Sequence, residues 1–256
     1  MLKLLLIILF ILILPIFCLF VFIFLAHFIF ASHETYRGKL SDHFDGWKFH
    51  NTTLYNQRSV WEALRWSLLR NRQAWPAHLE NLPHTPITPV TEHGRVKLTF
   101  INHSTVLFQT KDINVLTDPI WSERASPFRF LGPKRVRNPG IPFNELPHID
   151  VVLVSHNHYD HMDLPTLKKL NNQFHPVFLV PLGNKSYLNY RGIDHVIELD
   201  WWQKYSIGNA LFTLLPTQHW SARWLTDRYR TLWGSFGVEL EGKKIYKWGL
   251  WVFHAF

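Results

Sequence analysis

The chain has 256 residues, room for one α/β domain with an anchor or for two small domains, and one folded unit is the simpler reading. Its 27 Lys and Arg outnumber 19 Asp and Glu, and the net charge of +8 suits an anionic partner, phospholipid headgroups and nucleic acid alike. A single cysteine, Cys18, excludes an intrachain disulfide and a thiolate zinc knuckle, so any metal must be held by His and carboxylates.

From Leu4 to Phe30 no residue is charged, a run longer than the ~20 residues that cross a bilayer. It predicts a transmembrane helix, tilted or kinked at Pro15. A cleaved signal peptide is the alternative, with Ala31-Ser32 as a weak cleavage site. Lys3 and the amino terminus oppose Arg37 and Lys39, which leaves the orientation open. Cys18 lies inside the apolar run and reads as a small membrane hydrophobe.

Residues 33–93 read as a linker carrying one amphipathic helix. Between Ser59 and Arg72, Val60, Leu64 and Leu68 form an apolar stripe, with Arg58, Arg65, Arg70 and Arg72 elsewhere. Such a stripe is expected to pack on the domain in preference to a membrane surface. Pro76, Pro83, Pro86 and Pro89 break regular structure and place the start of the domain near Gly94. Residues 96–101 alternate like a half-buried strand, and 106–108 and 114–116 continue as short strands of a meander. From Ser126 to Phe143, Arg129, Lys134, Arg135 and Arg137 alternate with Pro, Gly and Phe, the composition of a basic loop.

The short apolar, β-branched run from Ile149 to Val154 feeds directly into Ser155-His156-Asn157-His158-Tyr159-Asp160-His161. In an extended tip His156 and His158 point to the same side, so both imidazoles can meet one ion. Asp160 and His161 fall where the chain turns into a helix bearing Leu164, Leu167 and Leu170, which aims them at a second position nearby. Four of six residues drawn from His and Asp at the end of a strand are hard to explain as packing, because buried polar groups at that density need partners.

This His-x-His-x-Asp-His pattern resembles the signature of the metallo-β-lactamase superfamily. The blocks Asn102 to Leu107, Leu116 to Pro119, Gly132 to Arg135, Leu199 to Trp202, Gln218 to Arg223 and Leu232 to Ser235 resemble its N-acylphosphatidylethanolamine phospholipase D group, over about residues 75–246. The resemblance implies an α/β fold, a metallo-β-lactamase-like αββα sandwich, here preceded by one transmembrane helix. It implies His219 as the third histidine on a first metal with His156 and His158. Asp160 and His161 would serve a second metal and the chemistry, and Asp118 would orient a ligand histidine; the role of His103 stays open. The implied cofactor is a pair of zinc ions holding a nucleophilic hydroxide. The implied reaction is phosphodiester hydrolysis of an anionic membrane phospholipid, with Arg129, Lys134, Arg135, Arg137 and Arg223 as phosphate contacts and no specific nucleic-acid partner. A lactonase or nuclease of the same fold, or an inactive remnant, are the rival readings.

The resemblance fails after Tyr246. The family carries a Gly-Asp pair there, whose aspartate bridges both metals, and a later histidine. This chain reads Lys247-Trp248-Gly249-Leu250-Trp251-Val252-Phe253-His254-Ala255-Phe256. Trp is always TGG, so Trp248-Gly249 shifted forward one base contains the glycine codon GGG, and an aspartate codon can follow. A frameshift near Tyr246 is therefore the expectation, with 94–246 an incomplete domain, 247–256 an aberrant tail and His254 an accidental residue. A site so reduced is expected to hold at most about one tight zinc and to have little activity, in a domain prone to aggregate.

Overall fold

The computed structural model describes residues 2–31, 36–53, 59–71, 74, 76–82, 86–248 and 251–255. His33 of the expected linker, Arg58 and Arg72 beside the amphipathic helix, Pro83, and Gly249 and Leu250 of the expected tail lie outside the described residues, as does the side chain of His254.

Two helices precede the sandwich. α1 (Leu2–Phe30) contains Pro15, and its segment Leu9–Phe30, with a mean hydropathy of 3.2, is long and apolar enough to cross a membrane. α2 (Val60–Leu69) starts at a capping box: the Ser59 hydroxyl accepts from Glu62 N, and the Glu62 carboxylate accepts from Ser59 N. Its stripe does not pack on the domain as expected. Leu64, Trp66, Leu68 and Leu69 are all exposed, because both core clusters are already filled by residues of the sandwich and its strap.

The first sheet has the order β1-β2-β3-β4-β5-β6. Its strands are β1 (Lys97–Asn102), β2 (Thr105–Gln109), β3 (Asn114–Thr117), β4 (Val151–Leu153), β5 (Val177–Pro181) and β6 (Val196–Leu199). The first three form the expected antiparallel meander; β3 to β6 are parallel. Parallel neighbours need crossovers. α3 (Leu164–Phe174) supplies the one between β4 and β5, and α4 (Lys185–Tyr190) the one between β5 and β6. The second sheet is an antiparallel meander of β7 (Lys204–Ile207), β8 (Ala210–Leu215), β9 (Ser235–Leu240), β10 (Lys243–Trp248) and β11 (Trp251–Ala255). β10 thus runs through residue 246 and pairs on its far side with β11, so the sheet continues where the sequence suggested a boundary.

Strand alternation divides the core in two. Val106, Phe108, Val151 and Leu153 face the second sheet and meet Phe212, Leu214, Phe236 and Val238, while Leu107, Val152 and Val154 face the helices and meet Leu167, Leu170 and Leu188. Strands covered on both sides read as unbroken apolar runs, which is why Ile149–Val154 stood out in the sequence.

The stretch before the expected domain start belongs to the fold. Phe44 and Phe49 are 2% and 0% exposed within the inter-sheet cluster, and the His43 ring packs against Trp201 with centroids 4.5 Å apart and bonds Asp200 at 2.8 Å. These residues form a strap across one end of the sandwich. Their irregular spacing gave no periodic signal.

Gly234 joins the second sheet to the motif that follows β4, through a bond from its N–H to Ser155 O at 3.0 Å. A Cβ there would lie 2.7 Å from Leu214 Cδ1 and 2.9 Å from Leu215 O. Gly234→Ala is therefore expected to destabilise the protein by ~1–3 kcal/mol, the usual cost of overpacking; an unchanged thermal melt would refute this close packing.

Candidate metal centre

The motif leaves the carboxyl end of β4 as a tight loop closed by His161 N–H and Met162 N–H on His158 O. Arg223, 5% exposed, holds it from the other side: its guanidinium donates to Asn157 O at 2.8 Å and Met162 O at 3.0 Å and lies over the Tyr159 ring. Nη1 of the arginine expected to meet a phosphate is thus engaged by the loop itself.

Three imidazoles converge. His156 Nε2 lies 2.8 Å from His158 Nδ1 and 3.0 Å from His219 Nε2. Two neutral imidazoles can share one proton; three nitrogens facing one point cannot all be satisfied by each other. His158 Nε2 is buried with no protein partner, a further sign that this ring is placed for something other than packing. Neutral imidazoles at this spacing suit one tetrahedral zinc, so the donor set fits the implied metal.

Burial, reinforced by the neighbouring His161, His219 and His158, holds the pKa of His156 well below the ordinary value. Burial likewise lowers His158 and His219 to about 4. All three are thus ready at neutral pH to donate lone pairs.

A second group lies beside the first. His103, Asp160 and His161 bring ligand atoms within 4.8 Å of one another, with His103 Nε2 to Asp160 Oδ2 at 2.9 Å and His161 Nε2 to Asp160 Oδ2 at 3.5 Å. The β1–β2 turn delivers His103 in the left-handed region, φ 41°. Burial alone would lower the pKa of His161, but the charge of Asp118 and bonds to Asp118 and Asp160 outweigh it and raise the value to about 9.

Asp118 ends β3, also left-handed at φ 39°. Its carboxylate accepts from Ser155 N at 2.7 Å, Ser155 Oγ at 3.0 Å and His161 Nδ1 at 3.1 Å. A carboxylate on Nδ1 turns Nε2 of that histidine toward Asp160 and the cluster. Lys247, 2% exposed, reaches the same place from β10, with Nζ 2.9 Å from Ser104 Oγ and 3.5 Å from Asp118 Oδ2. Sequence reasoning had assigned it to the tail. The inward alternation of Ile245 and Lys247 on β10 was the signal that placed it inside.

Asn51 was also missed. Its amide donates to His219 O at 2.9 Å and accepts from His219 N at 3.1 Å, so the strap fixes the backbone of the third imidazole. No spacing rule could have paired it with a residue 168 positions away.

The other expected contacts are scattered. Arg135 donates to Ser122 O at 2.9 Å and to Ile120 O at 3.2 Å; Lys134 pairs with Glu123 at 2.7 Å. Both line a cavity of about 1320 Å³, as does Arg137, and the cavity reaches His103 and Asp160. Arg129 is exposed and not among the cavity's lining residues.

Residues 113–249 match the family described as the beta-lactamase superfamily domain, and the chain belongs to that family. It is 35% identical over 177 residues to N-acyl-phosphatidylethanolamine-hydrolyzing phospholipase D 1 of Caenorhabditis elegans, covering 64% of this chain and 50% of that one. It is 39% identical over 167 residues to an uncharacterised protein of Mycobacterium tuberculosis, covering 62% and 45%. The chain thus spans about half the length of these relatives. A solved metallo hydrolase from Ignicoccus hospitalis is similar at 17% identity over 60% of each chain, with a TM-score of 0.46.

Two predictions follow from this geometry. Asn51→Ala is expected to weaken metal binding by ~10- to 100-fold, the usual cost of losing a group that supports a ligand; equal affinity in competition with a chromophoric chelator would show that Asn51 does not position His219. The second concerns pH. Unfolded, His158 and His219 take up protons near 6.5; folded, they do so only near 4, so the unfolded state binds more protons and metal-free stability falls as pH drops from 6.5 toward 4. His161 has the opposite sign: its contribution is complete below 6.5 and is lost as pH rises through about 9. Chelator-treated protein should therefore melt at a higher temperature at pH 7 than at pH 5 or 9.5, and a flat profile would contradict these environments.

Proposed function

We propose that this chain carries the metal-hydrolase domain of a membrane-anchored phosphodiesterase that cleaves an N-acylated ethanolamine phospholipid on the headgroup side of its phosphate. The observation that carries the reading is the cavity. Its walls include Leu82, Ile87, Phe100, Ile101, Ile120 and Ile141, and it opens on His103 and Asp160. An apolar chamber that ends at a histidine-carboxylate cluster suits a substrate with acyl chains and a polar reacting centre. The apolar α1, the +8 charge and the similarity to the worm phospholipase point the same way.

His156, His158 and His219 would hold a zinc ion, and Asp160 and His161, with His103, a second and weaker one. Zinc supplies a Lewis acid and a water acidic enough to act as nucleophile near neutral pH. Asp118 keeps the proton of His161 on Nδ1, so Nε2 stays directed at the reacting centre. The Asp160 carboxylate, whose pKa lies well below the ordinary range because bonds from His103 and His161 outweigh its burial, stays ionised and would serve as the anionic ligand of that second ion. Arg137, at the cavity wall and exposed, is the side chain best placed to attract the phosphate.

Purified full-length chain in mixed vesicles with zinc is expected to release an N-acylethanolamine and phosphatidate from the N-acylated lipid, detected by mass spectrometry. His158→Ala should reduce this by more than about 100-fold. Metal analysis should give about one tightly held zinc per chain. Turnover of a sugar lactone with none of phospholipid would favour the rival hydrolase reading; no turnover of either, with zinc bound, would mark a chain that keeps the fold without the activity.

A further inference from the structure

The last turns of α1 are fastened to the domain. His27 Nδ1 meets Thr226 Oγ1 at 2.6 Å, Trp224 Nε1 donates to Ile23 O at 3.2 Å, and Arg191 donates to Ile29 O. Phe30 packs against Trp224 at 5.1 Å and Phe128 at 5.2 Å. Three segments therefore grip the helix: loop 126–132, which follows β3; Arg191, which follows α4; and loop 224–226, which follows His219.

Length decides where those loops lie. Ahead of the fastened turns, residues 4–21 rise about 27 Å at ~1.5 Å per residue, close to the ~30 Å of a hydrocarbon core. In this stretch the side chains from Leu9 to Phe20 are exposed and Val21, next to the fastened turns, is half-buried. A helix whose free length is taken up by hydrocarbon places its fastened turns in the headgroup layer, and the loops bonded to them go with it.

The tips of those loops have the composition of an interface. Phe130 is 80% exposed, Leu131 59% and Leu225 73%, while Arg129 is also exposed and Arg228 lies over the Trp220 ring. Apolar tips flanked by arginines are costly in water and favourable between acyl chains and anionic headgroups.

We propose that loops 126–132 and 224–226 are a lipid-seating surface, inserted in the headgroup layer of the same anionic bilayer that α1 crosses. The metal end of the sandwich then faces lipid and the β7–β8 turn at the opposite end, which carries Asn209, faces water. The inference rests on the membrane reading above but needs no catalysis.

The test places one fluorophore at a time on the full-length protein in nanodiscs containing anionic lipid, using native Cys18, or Phe130→Cys, Leu225→Cys or Asn209→Cys in a Cys18→Ser background. Each is read against lipids brominated at shallow or deep positions and against iodide in water, with zinc content confirming the fold. Labels at 130 and 225 should be quenched by shallow bromolipid at least about threefold more than the label at 209, as expected for side chains ~5–10 Å into the interface. Labels at 130 and 225 as open to iodide as the label at 209 would overturn the proposal, and so would labels shielded from both iodide and lipid, which would mean that a protein covers these tips. A Cys18 label reached by iodide would remove the membrane reading itself, and the seating surface with it.

Discussion

Asp118 stands at the end of β3 with its carboxylate withdrawn from water, where an unpaired charge would cost several kcal/mol. Its compensation comes from three residues in two parts of the chain: the backbone and hydroxyl of Ser155, the ring of His161, and the ammonium of Lys247. The first two come from the loop after β4 and the third from the other sheet. One carboxylate therefore sets the distance between the sheets at the metal end and the orientation of a histidine in the metal cluster. Burial lowers the pKa of Lys247 and Asp118 partly restores it, so each charge is tolerable there because of the other.

Around that pair the centre is built from backbone as much as from side chains. Gly234 N–H holds Ser155 O, Arg223 holds two carbonyls of the motif, and Asn51 holds both polar groups of the His219 backbone. Left-handed backbone at His103 and Asp118, costly for residues with a Cβ, is sustained by this network and appears where two ligand-bearing turns meet.

What the sequence made legible follows from range. The β1–β3 meander, the β4 run and α2 each carry a local period or a continuous apolar run, and the His-Asp motif is written within seven residues. Groups that act across the chain carry no such mark. Asn51 sits in an aperiodic strap, Lys247 in a stretch that resembles no family block, and His103 in a turn whose neighbour Asp160 is 57 residues away. The basic residues show the reverse failure. Their charge suggested anion contact, but Nε and Nη2 of Arg135 and Nη1 of Arg223 donate to carbonyls, a use of arginine that composition cannot distinguish from recognition.

The reach of the centre has a kinetic consequence. Its parts run from Asn51 near the start to Lys247 near the end, joined by contacts among the most distant in the fold. Such pairings close late, because chain entropy must be spent before they return anything. His219 lies 63 residues beyond His156, so the three-imidazole cage is complete only after the intervening strands have folded, and metal loading follows folding of that span and does not lead it.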